Sequence, residues 1–195
     1  MIKPKYMNAR SLCIIAMMSA MSILLGFWPE IPMTVFAPWL KLDFAYIPML
    51  LTGYALGFLP GLCVLTLKNV FQLLTTNSAG IGQLADMICG IMLLFPALLI
   101  YRIRHNRSGV LLGMLCGSAL MIVSAIFSNL YLLLPFYGMS SYIDTHPGLV
   151  WVSIIPFNAI KSVSVCLVTF LVYKPLSPFL KKTGTGTKNR KKETT

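Results

Sequence analysis

The chain has 195 residues, of which 57% are hydrophobic and 11% are charged, with a mean hydropathy of +0.79 and a formal net charge of +11. A soluble domain carries about 25% charged residues, and a fold of this size cannot hide so much apolar surface from water. The composition therefore excludes a soluble enzyme, a disordered protein and a nucleic-acid-binding domain, and it indicates a membrane protein with several spans.

Six apolar runs are long enough to be considered as membrane spans, each of which needs roughly 20 apolar residues. In chain order they are about Ala9–Trp28, Asp43–Leu59, Leu62–Thr75, Ile81–Ile103, Gly109–Leu134 and Leu149–Tyr173. Pro60-Gly61 is predicted to form a tight turn between the second and third runs, because without a break they would be too long for one crossing. We therefore predict an all-α membrane protein, a bundle of six transmembrane helices.

The cations are concentrated in segments that can all lie on one side of the bilayer. Three lie at or before the start of the first run, three lie at or just after the end of the fourth run, and seven follow the last run, so these segments hold 13 of the 16 Lys and Arg residues. This positive-inside pattern predicts that both termini are cytoplasmic, in a multi-pass protein of the cell membrane. No nucleic-acid partner is expected, since no basic face with interleaved aromatic residues exists.

The C-terminal end differs in composition from the rest of the chain. Residues 181–195 are polar, basic and low in complexity. We predict that residues 1–180 form the membrane domain and that residues 181–195 form a disordered cytoplasmic tail near anionic lipid headgroups.

Charged residues within the predicted spans are candidates for function, because a charge in the membrane is costly. Away from the ends of the spans there are three of them: Lys68, Asp86 and Lys161. Lys68 and Asp86 could equally form a structural pair. Since no further acid remains within the spans to pair with Lys161, a binding role is favoured for that residue.

Amide side chains accompany these charges at similar predicted depths. Asn158 precedes Lys161 by three residues and so shares its helical face, Gln83 precedes Asp86 by the same spacing, and Asn129 lies near the outer end of the fifth run. We expect these groups to converge on one pocket in the outer half of the bundle, although Asn129 could instead bond a neighbouring helix. Amide and ammonium groups together suit a neutral, polar heteroaromatic ligand better than an ion.

Motifs for catalysis and metal binding are absent from the sequence. There is no Ser-His-Asp or Cys-His set, no HExxH motif and no cluster of carboxylates, and the five cysteines lie within apolar runs without a CxxC pair. We therefore predict no catalytic residues, no metal and no enzyme activity.

Small residues at four-residue spacing indicate close helix packing. Glycines show this spacing at positions 53, 57 and 61 and again at 109, 113 and 117, where packing within the bundle is a sufficient explanation. Ala16 and Ala20 repeat the pattern in the first run. These two alanines could also dock another membrane protein.

At this point the chain resembles the substrate-binding S components of energy-coupling factor (ECF) vitamin importers, in particular the riboflavin-specific RibU type. The resemblance covers about residues 9–180. It is carried by Leu40-Lys41-Leu42-Asp43-Phe44 with Ile47-Pro48, Gly57-Phe58-Leu59-Pro60-Gly61 with Leu67-Lys68-Asn69, Gly82-Gln83-Leu84-Ala85-Asp86, Asn129 with Leu134-Pro135-Phe136-Tyr137, Ile155-Pro156-Phe157-Asn158-Ala159-Ile160-Lys161, and Tyr173-Lys174-Pro175-Leu176-Ser177-Pro178.

The resemblance implies a six-helix bundle with one outward-facing vitamin pocket, capped by the loop between the first two spans. The residues that it implies for riboflavin binding are Asn129, Asn158 and Lys161, with Gln83 in a supporting position and backbone groups around Thr34 and Ala79. Riboflavin would be the transported ligand, and no cofactor is expected.

The resemblance also implies partners. Ala16 and Ala20 match the AxxxA motif with which the family contacts its membrane partner. A transmembrane coupling subunit and two ATPase subunits would supply the energy for transport, since the chain has no ATP-binding motif of its own. The alternatives are an S component for another vitamin or a nucleobase-like solute, and an intramembrane protein that transports nothing.

Overall fold

The computed structural model describes residues 9–27, 31–32, 40–75, 80–138 and 148–184. The helices are α1 (Ala9–Phe27), α2 (Tyr46–Leu56), α3 (Phe58–Leu73), α4 (Ile81–Ile103), α5 (Arg107–Ser128), α6 (Leu134–Phe136) and α7 (Ile155–Gly184). π-Helical turns at Asn129–Leu133 and Leu149–Ile154 join α5 to α6 and lead into α7. Two short antiparallel strands, β1 (Ile31–Pro32) and β2 (Lys41–Leu42), pair between α1 and α2.

Four of the described helical segments are long and apolar enough to cross a membrane. They are Ala9–Phe27, Ile81–Ile103, Ser108–Phe136 and Leu149–Tyr173. Helices α2 and α3 are also apolar but have only 11 and 16 residues. The all-helical fold class is confirmed, and the number of crossings stays a prediction.

The break between the second and third helices lies at Gly57, so the predicted turn at Pro60-Gly61 is wrong. Gly57 has a φ of 109° and a ψ of −178°, a backbone conformation essentially restricted to glycine. Pro60 lies in the first turn of α3, where a helix does not need the missing N–H. A Cβ on Gly61 would lie 3.1 Å from both Gly53 Cα and Met49 O, so α3 packs closely against α2.

Glycines of α5 allow an equally close approach to α4. A Cβ on Gly113 would lie 2.6 Å from Ala97 O, and a Cβ on Gly117 would lie 2.5 Å from Leu93 O. The prediction that this glycine stripe packs within the bundle is confirmed. In the other stripe only Gly53 and Gly61 pack in this way, because Gly57 forms the break.

The apolar core lies in the middle of the bundle, between α2, α3, α4, α5 and α7. Leu50, Val64, Leu93, Met114 and Val165 are among its fully or almost fully buried side chains. This core separates the two ends of the bundle.

Three tyrosines close one of these ends, where α2 and α4 finish. The Tyr54 ring lies edge-on to the rings of Tyr101 and Tyr173, with centroids 5.1 and 5.6 Å away. The hydroxyls of Tyr101 and Tyr173 are hydrogen-bonded at 2.9 Å. We call these three residues the tyrosine cluster.

Helix α7 continues to Gly184, so the predicted boundary at residue 180 falls within a helix. The division into a membrane domain and a disordered tail stays a prediction. Residues 185–195 lie outside the described residues.

Candidate functional site

A cavity of about 530 Å³ lies at the end of the bundle opposite the tyrosine cluster. Its wall comes from the last turns of α1, α3 and α5, the first turns of α2, α4 and α7, and the segment around β2. Volumes of roughly 300–1,000 Å³ are typical of small-molecule pockets. The cavity is therefore large enough for a ligand of vitamin size.

Two lysines and two aspartates form a network of ion pairs on the cavity wall. Lys68 Nζ lies 2.8 Å from Asp86 Oδ2, so the predicted structural pair is present. Lys161 Nζ lies 2.9 Å from Asp43 Oδ2 and 3.8 Å from Asp86 Oδ1. We call these four side chains the charge network.

The expectation that Lys161 has no acid to pair with is wrong. We predicted Asp43 as the first residue of a span, but α2 begins only at Tyr46 and Asp43 lies in the segment between β2 and that helix. Its carboxylate can therefore reach across the cavity to α7. The sequence signal was available, since Asp43 stands at the edge of an apolar run, but spacing along one helix could not show a contact over 118 positions.

Tyr46 is a further residue of the site that the sequence analysis did not identify. Its hydroxyl is a hydrogen-bond donor to Asp86, with Oδ1 at 2.8 Å and the backbone O at 2.9 Å as acceptors. Its ring centroid is 4.8 Å from Lys161 Nζ and 5.9 Å from Lys68 Nζ, within the range of cation–π attraction. Tyr46 thus stabilises both signs of charge in the network.

The two predicted asparagines line the same cavity as the charge network, and both are buried. Asn129 Nδ2 donates to Ala125 O at 2.8 Å, and Asn158 Nδ2 donates to Ile154 O at 2.9 Å. Each acceptor lies four residues earlier in the same helix, so these bonds orient the amides from within their own helices. Asn129 is the first residue of one π-helical turn, and Ile154, the acceptor of Asn158, is the last residue of the other. Such turns are frequent at functional sites.

Gln83 completes the set of predicted side chains that line the cavity. Its Oε1 atom is buried and has no hydrogen-bond partner among the described residues. A buried acceptor without a donor is costly, so this oxygen is suited to accept an N–H or O–H from a ligand. Thr34 and Ala79 lie outside the described residues.

Helix α1 contacts the cavity wall at its C-terminal end. Ser22 Oγ donates to Ala45 O at 2.7 Å, and Gln72 Nε2 donates to Gly26 O at 3.1 Å. Ala16 and Ala20 lie away from the cavity and are exposed on the same helix. The structure therefore separates the predicted docking residues from the predicted binding residues.

The side chains on the cavity wall offer many hydrogen-bonding groups to a ligand. They supply amide, ammonium, hydroxyl and carboxylate groups for hydrogen bonding beside apolar surface. Within the described ranges, no three His, Cys, Asp or Glu residues lie close enough together to hold a metal ion.

Most of the chain matches the sequence model of a known protein family. The sequence model of the family "ECF transporter, substrate-specific component" matches residues 10–173. The chain belongs to this family of ECF S components. It is therefore a membrane transport component. The resemblance to ECF S components that the sequence motifs indicated is confirmed.

Relatives of this S component are named for riboflavin transport. The chain is 29% identical over 177 residues to the riboflavin transporter RibU of Staphylococcus aureus, covering 89% of this chain and 93% of that protein. It is 28% identical over 191 residues to the riboflavin transporter FmnP of Bacillus subtilis, covering 90% and 96%.

A solved structure also resembles this S component. It is described as the S component of a bacterial ECF transporter and is 31% identical in sequence. The match has a TM-score of 0.76 and covers 88% of this chain and 98% of the other.

Proposed function

We propose that this S component binds riboflavin in the cavity and delivers it to an ECF importer. The observation that carries the proposal is that Gln83, Asn129, Asn158 and Lys161 line one cavity of suitable size. The names of the two curated relatives support the choice of riboflavin.

The proposed site matches the hydrogen-bonding pattern of a flavin. The pyrimidine-like edge of the ring system offers carbonyls and an N–H group, which Lys161, Asn129 and Asn158 can bind as donors and acceptors. Gln83 Oε1 accepts from a ligand donor. Each such bond contributes about 1 kcal/mol, and more where the donor is charged. Apolar wall residues such as Met121, Leu133 and Phe157 cover the dimethylbenzene edge.

The ligand-binding test uses purified protein in detergent and the quenching of riboflavin fluorescence. We expect Asn158→Ala to weaken riboflavin binding about tenfold or more, because the ligand loses amide hydrogen bonds while the charge network stays intact. Asn189→Ala is the matched control, since it removes the same amide from the C-terminal segment. Equal affinities for the two variants would contradict the assigned site.

Another vitamin or a nucleobase-like solute is the alternative ligand. Such molecules share the flat polar edge that the amides and the ammonium group would bind. A competition panel against riboflavin in the same assay separates these ligands. Tighter binding of another vitamin would replace riboflavin as the substrate.

We further propose that all six helical segments cross the cell membrane, with both termini in the cytoplasm. Helices α2 and α3 would be about 17 and 24 Å long at 1.5 Å per residue. Both are shorter than the hydrocarbon core of about 30 Å, so the bilayer would have to thin locally around them. The distribution of cations supports this orientation. In this orientation the cavity faces outward. Binding of riboflavin there would require no cofactor.

Transport would be energised by a coupling subunit with two ATPases, docked on α1. The exposed Ala16 and Ala20 allow another helix to approach closely. We expect Ala16→Leu with Ala20→Leu to retain riboflavin affinity and to lose co-purification with the coupling subunit. Val163→Leu, an equally apolar change at an exposed position of α7, is the control. Undiminished co-purification of the double variant would contradict docking at this face.

A further inference from the structure

The contact between Asp43 and Lys161 joins two parts of the chain that are far apart in sequence. Asp43 follows β2, whereas Lys161 lies on α7, and their charged atoms are 2.9 Å apart. Asp43 Oδ1 also accepts a hydrogen bond from Ala45 N at 3.0 Å. The carboxylate is thus held by the backbone at the start of α2 and holds the ammonium group in turn.

The charge network balances itself inside the cavity wall. Side-chain exposures are 1% for Lys68, 8% for Lys161, 11% for Asp43 and 17% for Asp86. Two formal positive and two formal negative charges are therefore buried together. Since removing one partner from such a group leaves an uncompensated buried charge, the loss of either aspartate would leave one unbalanced positive charge in this network.

Lys161 retains hydrogen-bonding capacity after it has paired with Asp43. An ammonium group has three N–H donors. Lys161 uses one on Asp43 Oδ2, while Asp86 Oδ1 is 3.8 Å away and beyond hydrogen-bond distance. A ligand carbonyl can therefore bind an ammonium group whose place is already fixed.

We infer that Asp43 is a positioning residue for the ligand and sets the preference of the cavity for uncharged ligands. It acts through Lys161, whose ammonium group it holds on the cavity wall, and its negative charge completes the neutral network. This inference rests on the proposed function, because it concerns the same site. The ligand need not contact Asp43.

A double-mutant cycle tests whether Asp43 acts through Lys161. In fluorescence-quenching titrations we expect Asp43→Asn to weaken riboflavin binding about tenfold and Lys161→Gln about a hundredfold. The double variant should bind like Lys161→Gln alone, because the positioning effect is lost with the residue that is positioned. Additive losses in the double variant, or full affinity of Asp43→Asn, would overturn the inference.

The charge of the ligand provides a readout that a merely structural role would not move. Asp43→Asn should shift the ratio of affinities several-fold toward riboflavin 5′-phosphate over riboflavin, because the cavity wall loses one negative charge and the charge network becomes net positive. Asp43→Glu keeps the charge and should keep the wild-type ratio. Equal weakening of both ligands by Asp43→Asn would overturn the role in selectivity. Glu193→Gln, a loss of one negative charge near the C-terminus, is the control.

The outcomes separate this inference from the function on which it rests. Failure of the wild-type protein to bind riboflavin would overturn the proposed function. Wild-type binding together with an unaffected Asp43→Asn variant would overturn only the role of Asp43. If Asp43→Asn does not fold, Asp43→Glu replaces it in the double-mutant cycle with Lys161→Gln. Additive losses of riboflavin affinity in that cycle would likewise overturn the inference.

Discussion

The two ends of the bundle use polar side chains in opposite ways. At the cavity end, the charge network and Tyr46 line about 530 Å³ of space, so polar groups surround an opening. At the other end, the rings of the tyrosine cluster pack edge to face and fill the space between α2, α4 and α7. Polar groups at one end therefore leave room for a ligand, whereas those at the other end pack against one another and leave none. Substitutions at the two ends should therefore affect different measurements.

The largest effect is expected from Lys161→Gln at the cavity end. It should weaken riboflavin binding about a hundredfold and lower the unfolding temperature, because Asp43 loses its partner. Fluorescence-quenching titration and thermal unfolding in detergent measure the two effects. An unchanged affinity for riboflavin would contradict the assignment of ligand binding to the cavity end.

Overpacking of the seam between α4 and α5 is expected to lower stability without a specific effect on the site. Gly117→Leu should destabilise the protein by about 1–3 kcal/mol or prevent folding, because even a Cβ would lie 2.5 Å from Leu93 O. Gly148→Ala is the control, since its Cβ would meet only ordinary contacts at 3.5 Å. Thermal unfolding should separate these two variants clearly, and equal unfolding temperatures would contradict close packing at this seam.

The break at Gly57 should show an effect of purely conformational origin, which does not go as far as preventing folding. Gly57→Ala should cost about 1–3 kcal/mol, because the φ of 109° is unfavourable for any residue with a Cβ. Apart from its neighbours along the chain, no described atom lies within 4 Å of the added methyl group, so a clash with another helix does not contribute. Pro60→Ala is the contrasting variant at the position where we had predicted the turn. If it proved the more damaging of the two, our assignment of the break would be contradicted.

The smallest effect is expected from Tyr101→Phe in the tyrosine cluster. Loss of the hydroxyl removes the 2.9 Å hydrogen bond to Tyr173 and should cost about 1 kcal/mol, while the ring contacts remain. Riboflavin affinity should not change. A loss of affinity comparable to that of Lys161→Gln would show that the closed end also determines binding.

Much of the fold could be predicted because it depends on local patterns. Apolar runs set the first and fourth helices almost to the residue, since burial and lipid both favour continuous apolar helices. The break at Gly57 was missed because Pro60 is the stronger turn signal, although the first turn of a helix tolerates proline. The π-helical turns were also missed, since no composition signal marks them.

The candidate site was predicted less completely, for a different reason. Gln83, Asn129, Asn158 and Lys161 were found because they are polar residues within apolar runs. Their binding role stays a prediction. Asp43 and Tyr46 were not recognised as part of the site, because their importance depends on contacts with Lys161 and Asp86 that are distant in sequence. Local spacing cannot reveal such contacts.

The attachment of α1 to the cavity rim limits how this helix can respond to a partner. The helix that presents Ala16 and Ala20 is hydrogen-bonded to Ala45 through Ser22 and to Gln72 through Gly26. Sliding of α1 along its axis by one helical turn, about 5.4 Å, would break both bonds at the rim of the cavity. A subunit that moved α1 would therefore act directly on the rim of the cavity.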